Sequence, residues 1–154
     1  MSCGDMEKAM EMSSKSVELG PGDAYALAFR GDILIEAGEF AEGINSLKQA
    51  IRLCPFPPAW FLFILGMGFH LNGENDLALA SIQHSIEREP GAFIPLLWLT
   101  SVLVETGRKD EAISIAREAC TMEPSFSVER WASKFSPLSH KRIKENLLTA
   151  GFPP

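Results

Sequence analysis

Residues 31–55 of the 154-residue chain read GDILIEAGEFAEGINSLKQAIRLCP. A glycine and a proline divide this stretch, since Gly38 stands between two helical patterns and Pro55 follows the second. Glycine can take the left-handed conformation that closes a helix, and proline cannot continue a helical hydrogen-bond ladder. In the second pattern, Ile44 and Leu47 begin an apolar series at helical spacing. The stretch therefore predicts a helical hairpin with one apolar face.

The same features recur along the whole chain at a nearly constant interval. Prolines lie 34, 35 and 34 residues apart, as do small residues that open the second helix, and the dividing glycines lie 35 and 34 apart. The members are Pro21, Pro55, Pro90 and Pro124; Ala9, Gly43, Ala78 and Ala112; and Gly38, Gly73 and Gly107. A further small-residue series, early in each unit where two helices must approach closely, is Gly31, Gly66 and Thr100. Such a period is typical of repeat proteins.

The period predicts three helical hairpins, a lone helix before them and a capping segment after them. The predicted paired helices are 23–37 and 40–53, 59–71 and 76–88, and 93–105 and 109–121. The predicted units are a half repeat at 5–19, repeats at 23–55, 59–90 and 93–124, and a segment at 125–154. Within that last segment, helices at 127–135 and 139–150 are expected to cover the apolar end of the stack.

At these residues the sequence resembles the tetratricopeptide repeat. The period, the small residue at Gly31, the alanine at Ala78 and the closing prolines match that pattern. Two departures are Thr100 at a position expected to hold glycine or alanine, and an extra residue after Pro55. The resemblance covers residues 5–124. It implies an all-α fold, a right-handed superhelical solenoid of antiparallel helix hairpins with a C-terminal helical cap.

Three segments resemble a narrower group, the C-terminal tetratricopeptide regions of bacterial multidomain regulators such as class III adenylate and guanylate cyclases. The segments are Cys54-Pro-Phe-Pro-Pro-Ala-Trp-Phe, Pro124-Ser-Phe-Ser-Val-Glu-Arg-Trp and Leu147-Leu-Thr-Ala-Gly-Phe-Pro-Pro. This resemblance implies a longer natural protein with a catalytic or DNA-binding domain upstream. The half repeat at 5–19 agrees, because its hairpin partner would precede Met1.

Charge and cysteine content limit the classes of partner. The formal net charge of −6 repels phosphate backbones, and the one basic cluster, Lys141, Arg142 and Lys144, is more typical of a solvated helix face than of an anion site. The sequence therefore predicts no nucleic-acid partner. Three cysteines, at positions 3, 54 and 120, match neither a zinc pattern nor a disulfide framework, which favours a reducing compartment.

The sequence lacks recognisable export and membrane-spanning signals, which favours the cytoplasm. The N-terminus lacks the basic, apolar and small-residue order of a secretory signal. The most apolar stretch, 58–71, has 14 residues and is interrupted by Gly66 and Gly68, whereas a membrane span needs roughly 20 residues. We therefore expect a cytoplasmic protein without a membrane-spanning segment, in which this stretch is a buried helix.

No sequence signature of catalysis is present. Nucleophile–base arrangements, paired carboxylates and phosphate loops have no counterpart among the motifs, so neither an enzyme nor a cofactor is expected. The histidines lie in different predicted helices without metal spacing, so no metal site is expected either. His84 and His140 are predicted on helix surfaces. His70 is predicted on the inner face, where it serves either the structure or a binding site.

Stacked hairpins expose one face of every first helix to a shared groove, and helical phase selects its residues. The groove positions are Tyr25, Ala28, Phe29, Asp32 and Ile35; Trp60, Phe63, Ile64, Met67 and His70; and Ile94, Leu97, Trp98, Ser101 and Glu105. The candidate partner-binding residues among them are Tyr25, Asp32, Trp60, Phe63, Met67, His70, Leu97, Ser101 and Glu105. Packing in the core is the alternative for each aromatic residue, but together they form an apolar strip.

Two functions follow from this strip. One is a protein-interaction module that takes an apolar or amphipathic segment of a protein or peptide into the groove. The other is the regulatory or self-association segment of a larger nucleotide cyclase or transcription regulator, whose apolar faces pack on an upstream domain or a second copy. The two differ in the oligomeric state that they predict.

A charged clamp for acidic chaperone tails is missing. The corresponding groove positions hold Ala28, Asp32, Ile64, Ile94 and Trp98, so a C-terminal carboxylate would meet one carboxylate and apolar side chains. We expect no binding of acidic chaperone-tail peptides in calorimetry, and micromolar binding would contradict this.

Overall fold

The computed structural model describes residues 3–20, 22–134 and 137–154. Met1, Pro21 and Phe135 lie outside the described residues, and with them the first proline of the repeat series and the last residue of the predicted helix at 127–135. Within the described ranges every regular element is an α-helix, which confirms the all-α fold class.

The helices follow the repeat pattern closely. Their bounds are α1 Cys3–Leu19, α2 Ala24–Glu36, α3 Phe40–Leu53, α4 Ala59–Leu71, α5 Asn75–Arg88, α6 Phe93–Glu105, α7 Lys109–Met122, α8 Val128–Ala132 and α9 Pro137–Thr149. In α2 to α7 each end differs from its predicted position by one residue at most. The period therefore located the hairpins accurately, whereas the two C-terminal helices differ more from their predicted ranges.

A left-handed glycine closes the first helix of each hairpin. The backbone angle φ is 90° at Gly38, 83° at Gly73 and 77° at Gly107. At the first of these turns the N–H of Glu39 donates to the carbonyl of Leu34 at 2.8 Å, and the same bond recurs in the other two hairpins. This bond satisfies a carbonyl that the helix itself leaves free, and it needs a residue that tolerates positive φ.

The helices of the first hairpin touch through their backbones. A Cβ atom on Gly31 would lie 2.9 Å from the carbonyl oxygen of Gly43 and 2.7 Å from Cγ of Leu47. In the third hairpin Thr100 holds the equivalent position, and its hydroxyl donates to the carbonyl of Leu96 at 2.8 Å within its own helix. The small-residue series therefore marks sites of close helix approach, and a hydroxyl can be accommodated at one of them.

We expect Gly31→Ala to lower the free energy of unfolding by about 1 to 2 kcal/mol. Overpacking costs about 1 to 3 kcal/mol, and the better helix propensity of alanine offsets up to about 1 kcal/mol of that cost. Urea denaturation measures the difference. The control is Gly22→Ala, because an added Cβ there meets no atom within 4 Å. Equal midpoints for the two variants would show that α2 and α3 can separate without cost.

The C-terminal segment does not extend the stack in the manner of another hairpin. In the repeats each first helix packs on the preceding second helix, as α4 does on α3 and α6 on α5, but α9 packs mainly on α6, which is itself a first helix. The N–H of Val128 donates to the carbonyl of Pro153 at 3.0 Å and so joins the two ends of the segment. The segment was expected to cover the end of the stack. In the structure its helix α9 covers part of the face formed by the first helices.

Candidate functional site

The first helices form a continuous inner face. Helix α2 contacts α4, and α4 contacts α6, so equivalent side chains of successive repeats lie side by side. Four rows of equivalent positions cross this face: Tyr25, Trp60 and Ile94; Phe29, Ile64 and Trp98; Asp32, Met67 and Ser101; and Glu36, Leu71 and Glu105. The rows change from aromatic and apolar at the N-terminal ends of the helices to polar and acidic at their C-terminal ends.

The N-terminal end of this face carries an exposed aromatic patch, which consists of Tyr25, Phe29, Trp60, Phe63 and Ile94. Tyr25 is 49% exposed and Phe29 is 56% exposed. The ring centroids of Phe29 and Trp60 are 5.1 Å apart, and those of Tyr25 and Trp60 are 6.3 Å apart. Exposed rings on α2 beside half-buried rings on α4 form the kind of apolar surface that marks an interaction site.

Beside the aromatic patch lies a cavity of about 240 Å³, here called the acidic pocket. Its lining consists of Asp32, Glu36, Phe63, Ile64, Met67, Ile94, Trp98, Trp131 and His140. The first helices supply most of this lining, and α8 and α9 add the last two residues. The pocket therefore exists only because the C-terminal segment lies against the inner face.

The two carboxylates of the acidic pocket are partly buried together on α2. Burial raises the pKa of Asp32 to about 6, and the neighbouring Glu36 raises it as well. Burial also raises the pKa of Glu36. Neither forms an ion pair within 4.0 Å in the part of the chain that the structure describes. The pocket is thus apolar in most of its lining and carries two acids without a counter-charge from those residues.

At the other end of the inner face, Glu105 is the centre of a polar network. One of its carboxylate oxygens accepts a hydrogen bond from Asn75 on α5 at 3.2 Å. The other accepts a hydrogen bond from Asn146 on α9 at 3.0 Å and pairs with Arg142 at 2.8 Å. These contacts join helices from two hairpins and the C-terminal segment, so the network fastens α9 to the inner face.

His70 completes the network as a neutral imidazole. Its Nδ1 lies 2.7 Å from the side-chain oxygen of Asn75, and its Nε2 lies 2.9 Å from the hydroxyl of Ser101. Because an amide oxygen only accepts, the proton is on Nδ1, and Ser101 donates to Nε2 while accepting from Asn146 at 2.9 Å. Burial lowers the pKa of His70, which favours this neutral form. Its backbone carbonyl accepts from Arg142 at 2.8 Å.

One surface prediction for α9 is wrong. His140 is only 4% exposed, and its ring centroid lies 5.7 Å from those of Trp98 and Trp131. Arg142 is exposed, as expected for a solvated helix face, and it also pairs with Glu105. The error at His140 arises because α9 lies outside the repeat period, so its neighbours could not be inferred from helical phase. His84, in contrast, is exposed on α5 as predicted.

Eight of the nine candidate residues divide into three groups, and the ninth lies in the core. Tyr25, Trp60 and Phe63 belong to the aromatic patch, and Asp32 and Met67 line the acidic pocket. His70, Ser101 and Glu105 belong to the polar network. Leu97 is fully buried in the core, as are the phased positions Ala28 and Ile35.

Burial removes three of the candidates from the surface. His70, Leu97 and Ser101 have no exposed area, so they cannot meet a partner while α9 is in place. Sequence reasoning missed Glu36, Trp131 and His140 as pocket residues. Glu36 is one period before Leu71 and two before the candidate Glu105, so the repeat could have indicated it. Trp131 and His140 lie beyond the last repeat, where no periodic signal could indicate them.

Two further features were sought in the described ranges, a group of metal-binding side chains and a membrane-spanning helix. There, no three His, Cys, Asp or Glu side chains are close enough together to hold a metal ion. No helix among these residues combines the length and apolarity that a membrane span requires.

Comparison with known proteins agrees with this architecture. Residues 24–57 match the family model described as tetratricopeptide repeat. Over 112 residues, 70% of the chain, the sequence is 30% identical to the peroxisomal targeting signal receptor of Candida glabrata. The chain spans only 17% of that receptor's length.

Solved structures show the same fold. A crystal structure of MamA superimposes with a TM-score of 0.72 at 21% identity, covering 96% of this chain and 87% of that one. YrrB, described as a TPR protein with an unusual peptide-binding site, gives a TM-score of 0.67 at 20% identity over 96% and 77% of the chains. The TPR domain of Arabidopsis OM64 gives 0.64 at 15% identity over 80% and 93%. The chain therefore has the helical solenoid fold of these proteins.

Proposed function

We propose that this chain, which has the fold of a tetratricopeptide-repeat solenoid, is a protein-interaction scaffold in the cytoplasm. It binds an apolar or amphipathic polypeptide segment on the inner face formed by α2, α4 and α6. The observation that carries the proposal is the aromatic patch, where Tyr25 and Phe29 expose about half of their surface. The peptide-binding site named for YrrB and the targeting-signal receptor among the relatives support this class of function.

The chemistry of the patch favours a polypeptide ligand. Aromatic side chains dominate binding energy at protein interfaces, because they bury a large area with few rotatable bonds. Each 100 Å² of apolar surface that a partner covers contributes roughly 2.5 kcal/mol before the costs of association. Two neighbouring rings, Phe29 and Trp60, therefore offer enough area to anchor one turn of an amphipathic helix.

Peptides selected from a random library against the immobilised chain test this proposal. We expect Phe29→Ala and Trp60→Ala to weaken their binding at least ten-fold in fluorescence anisotropy, since each removes an aromatic anchor. Phe56→Ala is the matched control, because Phe56 is 82% exposed and precedes α4 outside the inner face. Equal affinity for all four proteins would place the binding site elsewhere, and circular dichroism confirms that each variant is folded.

The second candidate is a regulatory or self-association segment, as the resemblance to cyclase and regulator C-termini implies. The observation that favours it is on α1, where Met12 is 65% exposed and Leu19 is 81% exposed, two turns apart on one helix face. An apolar face of this kind would pack on a second copy or on another domain. Sedimentation velocity at high protein concentration tests packing on a second copy, and a single monomeric species would contradict self-association.

A further inference from the structure

We infer that the acidic pocket receives a lysine or arginine side chain of the bound segment, so that the partner carries a basic residue next to its apolar ones. The inference rests on the proposed function, because the pocket and the aromatic patch are parts of one inner face. Phe63 and Ile94 line both the acidic pocket and a smaller cavity of about 170 Å³ beside Trp60. A segment anchored on the patch therefore passes over the pocket.

The size of the pocket suits an alkylammonium chain. Its volume of about 240 Å³ equals that of roughly eight water molecules at about 30 Å³ each. A lysine side chain has about five non-hydrogen atoms beyond Cα, so it fits with room to spare. The walls are Met67, Phe63 and Trp98, which can pack against the aliphatic stem and place a ring face near the cation.

Charge complementarity selects a basic side chain over an apolar one. A leucine in the pocket would exclude more water from Asp32 and Glu36 without giving either carboxylate a partner, which is costly. A cation would supply the counter-charge that the described residues do not provide. The raised pKa values of the two acids agree with this, since burial is the largest cause for both carboxylates.

The same face already binds one basic side chain within the chain itself. Glu105 occupies the row position equivalent to Glu36 and pairs with Arg142 of α9 at 2.8 Å. An acid at this position on a first helix can therefore take a guanidinium from a helix that lies across the inner face. Asp32 and Glu36 are the acids that α9 leaves without such a partner, and we assign them to an external cation.

The first test uses n-butylammonium as a probe of the pocket alone. In ¹H–¹⁵N spectra we expect saturable shifts of the indole signals of Trp98 and Trp131, with 1-butanol at least five-fold weaker. Asp32→Asn should weaken butylammonium binding at least five-fold. Glu87→Gln, which neutralises an exposed acid on α5, should leave it unchanged. Equal binding of 1-butanol, or no effect of Asp32→Asn, would overturn the inference.

The second test separates this inference from the proposed function. Among peptides whose binding depends on Phe29, we expect a single basic residue whose replacement by norleucine weakens binding at least five-fold. If norleucine binds as well as lysine, the cation site is contradicted while the scaffold function stands. If no selected peptide depends on Phe29 but butylammonium still binds, the scaffold function is contradicted and the cation preference of the pocket stands.

Discussion

Asp32→Asn should raise the free energy of unfolding at pH 7 by about 2 kcal/mol. Burial and the neighbouring Glu36 raise the pKa of Asp32 from 3.8 to about 6, so at pH 7 the ionised carboxylate is less favourable in the folded protein than in the unfolded chain. Converting the whole pKa shift into free energy gives about 3 kcal/mol, and partial solvent access to the carboxylate reduces this value. Asparagine keeps the shape of the side chain and removes the charge.

The pH dependence of the stability gain from Asp32→Asn shows whether the ionised carboxylate causes it. A folded-state pKa above the unfolded one means that the stability contributed by this group is complete below about pH 4 and is lost as the pH rises to about 6. We therefore expect the advantage of Asp32→Asn in urea denaturation to be present at pH 7 and absent at pH 4. Glu36 on α2 also lines the pocket, and because its charge raises the pKa of Asp32, the substitution also relieves repulsion between the two acids.

Two outcomes would contradict this account. One is a loss of stability at pH 7, which would mean that Asp32 makes favourable contacts. The other is an equal gain at both pH values. Glu87→Gln serves as the control for charge removal in general. A variant that is more stable but binds butylammonium less well would also show that this acid serves binding at the expense of the fold.

Glu105→Ala should lower the free energy of unfolding by about 2 to 3 kcal/mol. The substitution leaves Asn75 and Asn146 without their carboxylate acceptor inside a partly buried network. Unsatisfied buried polar groups cost about 1 to 3 kcal/mol each when they cannot reach water. The ion pair with Arg142 adds little, because that guanidinium is 47% exposed.

The part of the chain that Glu105→Ala destabilises is as informative as the size of the stability loss. Hydrogen exchange should show faster exchange in α9 than in α2 and α3, since the network holds the C-terminal segment against α6. Glu129→Ala is the matched control, because its pairing with Lys144 is largely exposed and should be worth about 0.5 kcal/mol. Equal losses in the two variants would mean that the network contributes no more than a surface ion pair.

The repeats were predictable because the same sequence pattern occurs three times and each occurrence predicts the same hairpin. Each dividing glycine, such as Gly38, marks a left-handed turn, and each closing proline marks the end of a hairpin. Helical phase within α2 likewise selected Tyr25 and Asp32 for the inner face, and their role in binding stays a prediction. Phase could not separate the solvent-facing positions from those that a later segment covers.

The C-terminal segment could not be placed from the sequence. Nothing in the residues of α9 indicates that Asn146 bonds to Ser101, or that His140 approaches Trp98, because these contacts join positions about 40 residues apart without a shared period. The acidic pocket depends on these contacts. Of its two acids, Asp32 was predicted on the inner face, whereas Glu36, Trp131 and His140 were identified only from the tertiary structure.

The bond from Arg142 to the carbonyl of His70 spans 72 residues of sequence. Solenoids usually lose their terminal repeats first, because each unit contacts only its neighbours and the ends fray independently. Here the terminal helix α9 forms a hydrogen bond with the second hairpin, although the third hairpin lies between them in the sequence. This long-range bond raises the contact order and penalises partial unfolding from the C-terminus. Denaturation should consequently be cooperative across α4 to α9. Force applied at the C-terminus would also load the second hairpin through this bond.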